Sequence, residues 1–239
     1  MRRRRLLRSA ADSFGGLTGT PSAAAIARIE RSHPIDVLVN NAGLMPVGAT
    51  ETFTLEQMQA CFEVNMFGLA RASRAVLPGM RERKSGLLVH LSSVAGRLVI
   101  PFFGLYCASK YAMEAYAESL DYELEPFGVR SVIVEPSGHA TDLVDTAPAP
   151  ADLAALDGYG AASEGRDRLI AMFKDAFAKG ETVNDARNVA ERIADLVEME
   201  NPPQRTQVGE DMGVEAVNAA LAPIQGGLIE ALKPVYAGA

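Results

Sequence analysis

The sequence predicts an α/β domain built on a doubly wound, mostly parallel β-sheet with helices on both faces. Short runs of β-branched and apolar residues recur along the chain, helical patterns separate them, and a polar turn follows each of the first three runs. Strands that alternate with helices favour a parallel sheet, because each crossover helix packs back onto it. The chain has 239 residues, 48% of them hydrophobic, which is enough for one domain with a sizeable core.

The first elements are a helix that begins near Ala23 and a buried strand over Ile35–Val39. The strand is rich in β-branched residues and ends at the turn-capable sequence Asn40-Asn41-Ala42-Gly43. Thr54 and Gln57 then have the spacing of a capping box, and apolar residues follow at intervals of three and four. We therefore predict a long amphipathic helix over 55–80 that ends near Pro78-Gly79.

The middle of the chain repeats this alternation of strand and helix. A buried strand over Leu87–Leu91 stops at Ser92-Ser93, and a helix rich in Ala, Met, Glu and Leu covers Tyr106–Glu125. A third strand over Val129–Val134 ends at Glu135-Pro136-Ser137-Gly138. Ligands of parallel sheets bind beyond the carboxyl ends of the strands, so the three polar turns are expected to line one cleft.

The last third of the chain begins with an irregular segment over residues 140–165. This segment is rich in Ala, Pro, Asp and Gly and is too long for an ordinary connection, so we expect a lid over a site and a modestly apolar substrate pocket. Helices are predicted over 166–178 and 184–198, and a last strand over Arg205–Val208.

Composition restricts the function classes. Two cysteines are too few for a disulfide framework, and three scattered histidines do not form a metal site, so we expect a cytoplasmic protein without a bound metal. Residues 1–34 hold seven arginines against Asp12 and Glu30, whereas the whole chain carries a net charge of −7. With an acidic body and no interleaved aromatic residues, nucleic acid is not an expected partner. No stretch is apolar enough for a membrane span.

Four motifs coincide in order along the chain. Asn40-Asn41-Ala42-Gly43 follows a strand, Asn65 lies within a helix, and Ser93 stands thirteen residues before the string Tyr106-Cys107-Ala108-Ser109-Lys110. Together they resemble the short-chain dehydrogenase/reductase family over roughly residues 30 to 145. The resemblance implies a Rossmann-like sheet and an oxidoreductase that interconverts a secondary alcohol and a carbonyl with NAD or NADP.

The residue types suit such chemistry. Carbonyl reduction needs a proton donor at the developing alkoxide, and an ammonium four residues along the helix favours the phenolate form of a tyrosine. Tyr106 is thus the expected acid/base and Lys110 the group that lowers its pKa. By resemblance Ser93, favoured over Ser92 by its spacing, holds the substrate oxygen, and Asn65 maintains a helix distortion and a proton relay.

The resemblance also implies cofactor contacts. Asn41, Ala42 and Gly43 match the loop that packs beside the cofactor, and Lys110 would donate to its ribose. Three residues after the third strand occupy the region that binds the nicotinamide: Pro136, Gly138 and Thr141. Ser137 and His139 depart from the family pattern there.

The beginning of the sequence departs most. A first strand and a glycine-rich turn are expected ahead of Ile35, but Pro21 stands where a glycine is expected after Gly15 and Gly19. We therefore expect residues 1–22 to be an atypical segment, residues 23–239 to form a single domain, and the first strands of the fold to be missing. Either the sequence begins at the wrong start codon or is a piece of a working oxidoreductase, or it is a truncated relative that has lost tight cofactor binding and serves as a non-catalytic binding module. The resemblance implies homo-oligomers through the 55–80 and 106–125 helices.

Overall fold

The computed structural model describes residues 23–180 and 182–236. Within them, four strands form one parallel sheet whose spatial order follows the chain. The strands are β1 (Val37–Asn40), β2 (Gly86–Leu91), β3 (Val129–Pro136) and β4 (Arg205–Val208). The α/β fold with a parallel sheet and all four predicted strands are therefore confirmed. The predicted atypical segment over residues 1–22, with no glycine-rich turn and without the first strands, lies outside the described residues.

Helices separate these strands. They are α1 (Ala23–Ser32), α2 (Leu55–Phe62), α3 (Leu69–Arg83), α4 (Gly104–Leu124), α5 (Leu153–Asp157), α6 (Gly165–Ala178), α7 (Arg187–Glu198) and α8 (Val214–Tyr236). A π-helical segment, Glu63–Gly68, joins α2 to α3. The capping box predicted at the start of α2 is present, with Thr54 and Gln57 exchanging hydrogen bonds.

The sheet is covered on both faces, as a doubly wound fold requires. On one face Leu88 packs with residues of α1, α3 and α4. On the opposite face its neighbours Leu87 and Val89 pack with Leu196 and Val197 of α7. Adjacent residues of a strand point to opposite faces, which explains why the predicted strands read as continuous apolar runs.

The predicted end of the 55–80 helix is wrong, because α3 continues through Pro78 to Arg83. Proline removes one backbone hydrogen bond of a helix. Here Pro78 is exposed, while Val76, Leu77 and Met80 are buried against the sheet and hold the helix together on its inner face. The helix ends instead at Lys84, whose φ of 50° leaves the right-handed helical region.

The segment over residues 140–165 is tied to the loop that precedes α2. The Gln57 side chain donates to the Ala149 carbonyl at 2.8 Å and accepts from the Ala151 amide at 2.9 Å. The Arg166 guanidinium donates to the carbonyls of Val47 and Ala147 at 2.9 and 3.2 Å. These bonds fix the segment beside the carboxyl ends of the strands.

The helix α8 has no counterpart in the elements predicted from the sequence. Val214 at its start is buried, and Lys233 near its end lies 3.1 Å from Glu125, but most of its apolar side chains are exposed. Across the described residues, the helices are all too short or too polar to cross a membrane.

Candidate active site

Tyr106 and Lys110 lie one turn apart on the first half of α4, as their spacing predicts. Both are buried, with 6% and 5% of their surface exposed. The Lys110 ammonium lies 5.6 Å from the centroid of the Tyr106 ring and donates to the Leu91 carbonyl at 2.7 Å. Since Leu91 is the last residue of β2, this bond fixes the pair at the carboxyl end of the sheet.

The two serines after β2 have different partners. The Ser93 side chain lies close enough to the Tyr106 hydroxyl to lower its pKa, and its oxygen accepts from the Ala95 amide at 3.1 Å. Ser92 is buried and donates to the Glu114 carboxylate. The structure thus brings Ser93 rather than Ser92 to the phenol, which agrees with the choice made from the thirteen-residue interval.

Burial, and not the neighbouring ammonium, dominates the acidity of both groups. Burial raises the pKa of Tyr106 to about 12, although the bond from Ser93 acts in the opposite direction. Burial also lowers the pKa of Lys110 to about 8, against the favourable charge of Glu114. The expected lowering of the Tyr106 pKa by Lys110 is therefore not found, because Lys110 has already lost its charge at the pH where the buried phenol ionises.

Asn65 lies in the π-helical segment, so the helix distortion expected at this residue is present. Its amide is 2% exposed and bridges two parts of the site. The oxygen accepts from the Leu44 amide at 2.7 Å, and the nitrogen donates to the Leu44 carbonyl at 2.9 Å and to the Ser109 hydroxyl at 2.8 Å. Asn65 thereby holds the loop after β1 against α4.

Replacing Asn65 by alanine is expected to lower the free energy of unfolding by about 1–3 kcal/mol, because the backbone groups of Leu44 lose their partners in a dry environment. Urea denaturation measures this change. Gln59→Ala, on the exposed face of α2, is the matched control and is expected to change stability by less than about 0.5 kcal/mol. Equal midpoints for the two variants would contradict the bridging role.

The loop after β1 carries the first set of predicted cofactor residues. Asn41 and Ala42 are exposed, whereas Gly43 is half-buried beside Lys110. A Cβ atom at Gly43 would stand 3.8 Å from the Lys110 ammonium and 3.5 Å from the Asn65 amide oxygen. The structure thus brings Gly43 close to the buried pair, with Asn41 and Ala42 on the solvent side of the loop.

The second set follows β3. Pro136 is the last residue of that strand, and Gly138 faces α6: a Cβ atom there would lie 3.5 and 3.6 Å from ring carbons of Phe177 and Phe173. Thr141 is exposed, and its hydroxyl accepts from the Leu143 amide at 3.4 Å. Two phenylalanines of α6 therefore pack against the loop that the resemblance assigns to the nicotinamide. The motifs in the sequence did not point to them.

The histidines near the site have separate environments. His139 pairs with the Ser137 carbonyl through Nδ1 at 3.0 Å, while Nε2 is buried with no partner among the described residues. His90 is fully buried in β2 between Asn40 and Ser131, and burial lowers its pKa to about 3. A neutral ring in this position serves as a hydrogen-bonding core residue.

A buried network of charges lies next to Lys110 on α4, and the motifs in the sequence did not point to it either. Arg205 of β4 lies 2.7 Å from both Glu114 and Glu135 and 2.9 Å from Glu118. Burial opposes the charge of Arg205, but Glu114 and Glu118 hold its pKa above the ordinary value. The signal in the sequence is the position of Glu114 one turn after Lys110, on the same face of the helix.

The chain resembles known proteins over most of the described residues. Residues 20–151 match the family described as short chain dehydrogenase. A crystal structure of a short-chain dehydrogenase from Streptomyces avermitilis superposes with a TM-score of 0.68 at 32% identity, covering 90% of this chain and 75% of that one.

Two curated relatives are similar in sequence. A 3-ketodihydrosphingosine reductase of Bacteroides thetaiotaomicron is 33% identical over 73% of this chain, and retinol dehydrogenase 8 of Homo sapiens is 35% identical over 72%. The chain spans 63% and 56% of the length of these relatives. The family match extends over more than half of the residues, and the chain forms the parallel sheet described above, so it belongs to the short-chain dehydrogenase family.

Proposed function

We propose that the protein is an oxidoreductase that interconverts a secondary alcohol and a carbonyl, with NAD or NADP as the hydride carrier. The observation that carries the proposal is the meeting of Tyr106, Ser93 and Lys110 at the carboxyl end of β2. The family membership supports the cofactor class. The names of the two relatives, which specify a keto compound and an alcohol, support the substrate class.

The residues around Lys110 fit the ribose of a nicotinamide nucleotide. An ammonium has three donors, and the Leu91 carbonyl accepts one of them. Gly43 has no side chain, so two vicinal hydroxyls can approach the remaining donors from that side. At the other end, Phe173 and Phe177 lie against Gly138, in the loop that the resemblance assigns to the nicotinamide.

Each polar side chain has a role in the proton transfer. A nicotinamide held by Lys110 and the loop that carries Gly43 would supply the hydride chemistry. In the oxidation, the phenolate form of Tyr106 would take the proton of the substrate hydroxyl. Ser93 holds the substrate oxygen through its hydroxyl, beside that of Tyr106. Lys110 holds the ribose, and Asn65 anchors the loop that carries Gly43.

Cofactor binding is the experiment that tests the proposal. Calorimetric titration of NADH and NADPH is expected to detect binding that weakens as the pH rises through about 8, because the ammonium of Lys110 is lost over that range. Lys110→Met is expected to bind at least tenfold more weakly at pH 7 and to lose this pH dependence. Lys84→Met, in the exposed turn after α3, is the control.

The same titration on a chain extended upstream in the same reading frame distinguishes the remaining alternatives. Binding by the extended chain alone means that upstream residues complete the nucleotide site. Absence of binding by both chains would overturn the oxidoreductase proposal and leave the non-catalytic binding module.

We also propose that two copies associate through the surface formed by α2, α3 and α4. Leu55 and Phe67 support this, since 71% and 46% of their surfaces are exposed on the helices that the family resemblance assigns to the interface. Burial of such side chains is a common source of association energy.

A further inference from the structure

Three aromatic rings lead away from the ring of the candidate acid/base, Tyr106. The ring of Phe103 lies edge-on to that of Tyr106, with their centroids 6.4 Å apart. Phe173 follows at 5.9 Å from Phe103, and Phe177 at 6.1 Å from Phe173. Phe173 and Phe177 are four residues apart on α6 and therefore point to the same side of that helix. This aromatic row, Tyr106, Phe103, Phe173 and Phe177, runs from the start of α4 to the loop after β3. Gly138 in that loop faces the last two rings.

The surroundings of the row are apolar. Tyr106 and Phe103 belong to a cluster to which the segment over residues 140–165 and α6 also contribute. The apolar side chains packed against this cluster include Ile100, Phe102, Leu143 and Leu169. A substrate whose oxygen reaches the Tyr106 hydroxyl therefore has its carbon skeleton against hydrocarbon and aromatic surface.

Two basic side chains of α6, Lys174 and Arg166, already have partners. Lys174 pairs with Asp145 at 2.7 Å, and both side chains are more than half exposed. Arg166 is held by the carbonyls of Val47 and Ala147 and pairs with Asp167. Lys174 and Asp145 pair on the solvent side. The Arg166 side chain is only 25% exposed, but its guanidinium is already bonded to the two carbonyls and to Asp167, so a charged substrate group within the cluster would find no free counterion in these residues.

The backbone of Phe102, which packs against this apolar cluster, is strained. Its φ of 66° lies in the left-handed region, which a phenylalanine rarely adopts. The Gly48 amide donates to the Phe102 carbonyl at 2.8 Å, and the Phe102 ring packs so closely on Gly165 that a Cβ atom there would lie 2.3 Å from it. The first residue of α6 is thus placed by an aromatic contact, at a cost that the surrounding structure offsets.

We propose that the aromatic row selects the substrate: an uncharged ketone or secondary alcohol whose oxygen-bearing carbon is attached to an extended hydrocarbon chain or ring system. The hydrocarbon part replaces the contacts that Phe173 and Phe177 make with the rest of the cluster, while the oxygen reaches Tyr106 and Ser93. This inference rests on the proposed function, since it names the substrate class of the same site. It also replaces the modestly apolar pocket expected from composition with an aromatic one.

Binding of a series of methyl ketones, from 2-butanone to 2-dodecanone, tests the selection on the full chain. Calorimetry or ligand-observed NMR is expected to give affinities that rise about fourfold per added methylene until the ketone reaches the end of the aromatic row. The probe 9-oxodecanoate has the length of 2-decanone but ends in a carboxylate. It is expected to bind at least tenfold more weakly.

Variants of the row identify the surface responsible. In Phe173→Ala and in Phe177→Ala, the factor by which affinity rises for each added methylene is expected to be at least twofold smaller than in the wild type. Phe177→Leu retains an apolar contact and is expected to keep most of it, which also guards against misfolding of the alanine variants. Phe127→Ala, in the exposed turn after α4, is the matched control and is expected to behave as wild type.

The outcomes separate this inference from the proposed function. Length-dependent binding without turnover in the presence of NADH or NADPH supports the selection and overturns the oxidoreductase proposal. Turnover that is equal for short and long ketones, or equal binding of 9-oxodecanoate and 2-decanone, overturns the selection and leaves the activity. Failure of every ketone to bind also overturns the selection.

Discussion

Replacing Tyr106 by phenylalanine is expected to lower turnover by about 10²- to 10⁴-fold, the range that a positioned proton donor contributes. The variant keeps the ring that packs against Phe103 and removes only the hydroxyl, so the fold and the nucleotide affinity are expected to be unchanged. Steady-state kinetics with a ketone and with the matching alcohol, together with nucleotide titration, measure the two effects separately.

The pH dependence adds a second readout for the same residue. The pKa of Tyr106 is about 12 because the phenol is buried, so the phenol stays protonated near neutral pH and the fraction of phenolate rises about tenfold per pH unit below that value. Alcohol oxidation, which needs the phenolate, is expected to accelerate from pH 7 to 10 in the wild type and to lose this dependence in Tyr106→Phe. Full activity of the variant would exclude Tyr106 as the acid/base. Tyr111→Phe, on the more exposed side of α4, is the control.

Replacing Arg205 by methionine is expected to destabilise the fold by about 3–5 kcal/mol, the largest effect on stability that we anticipate. The side chains of Glu114 and Glu135 are 3% and 0% exposed, and both depend on Arg205 at 2.7 Å. Without it their buried charges keep only weaker partners, such as Arg97 at 4.0 Å from Glu114 and the Asn218 amide at 2.8 Å from Glu135.

Urea denaturation at two pH values checks this prediction. Burial already raises the pKa of Glu114, and loss of Arg205 removes a charge that acts against this shift. A carboxyl whose pKa is higher in the folded than in the unfolded state destabilises the fold fully above its folded pKa, and this penalty decreases as the pH falls and is lost below its unfolded pKa. The deficit of Arg205→Met is therefore expected to be larger at pH 7 than at pH 5, and Glu114→Gln in the same chain is expected to recover part of it.

The exposed pair of Arg192 and Asp195 provides the comparison for Arg205. These side chains lie 3.9 Å apart and are 46% and 61% exposed, so Arg192→Met is expected to change stability by less than about 1 kcal/mol. If Arg205→Met were no less stable than Arg192→Met, the network would be dispensable to the fold.

The strands β2 and β3 could be predicted from the sequence because each is a short apolar run that is buried on both faces and bounded by polar turns. The pair Tyr106 and Lys110 could be placed on one helix face because spacing alone determines it. The end of α3 could not, since the packing of Val76 and Met80 outweighs the hydrogen bond lost at Pro78. The formation of α8 was also missed, because Pro223 and the adjacent glycines weaken a helical pattern that nevertheless forms.

Contacts between distant parts of the chain explain the remaining misses. Arg205 is 91 residues from Glu114 and 70 from Glu135, and no local pattern links them. Phe173 and Phe177 were assigned to a helix, but only the folded chain places that helix over Gly138. The pKa of Tyr106 depends on the same covering, because desolvation by surrounding residues is a property of the packed site rather than of a motif.

The π-helical segment between α2 and α3 makes this stretch intolerant of changes in length. A π-turn holds one residue more than an α-turn, so deleting a single residue here would allow an unbroken α-helix. The gain in regular bonding would come with a rotation of about 100° between the two halves of the helix. Asn65 would then face away from Leu44 or the inner face of α3 away from the sheet, which makes the chain length between Phe62 and Leu69 as restrictive as the identity of the asparagine.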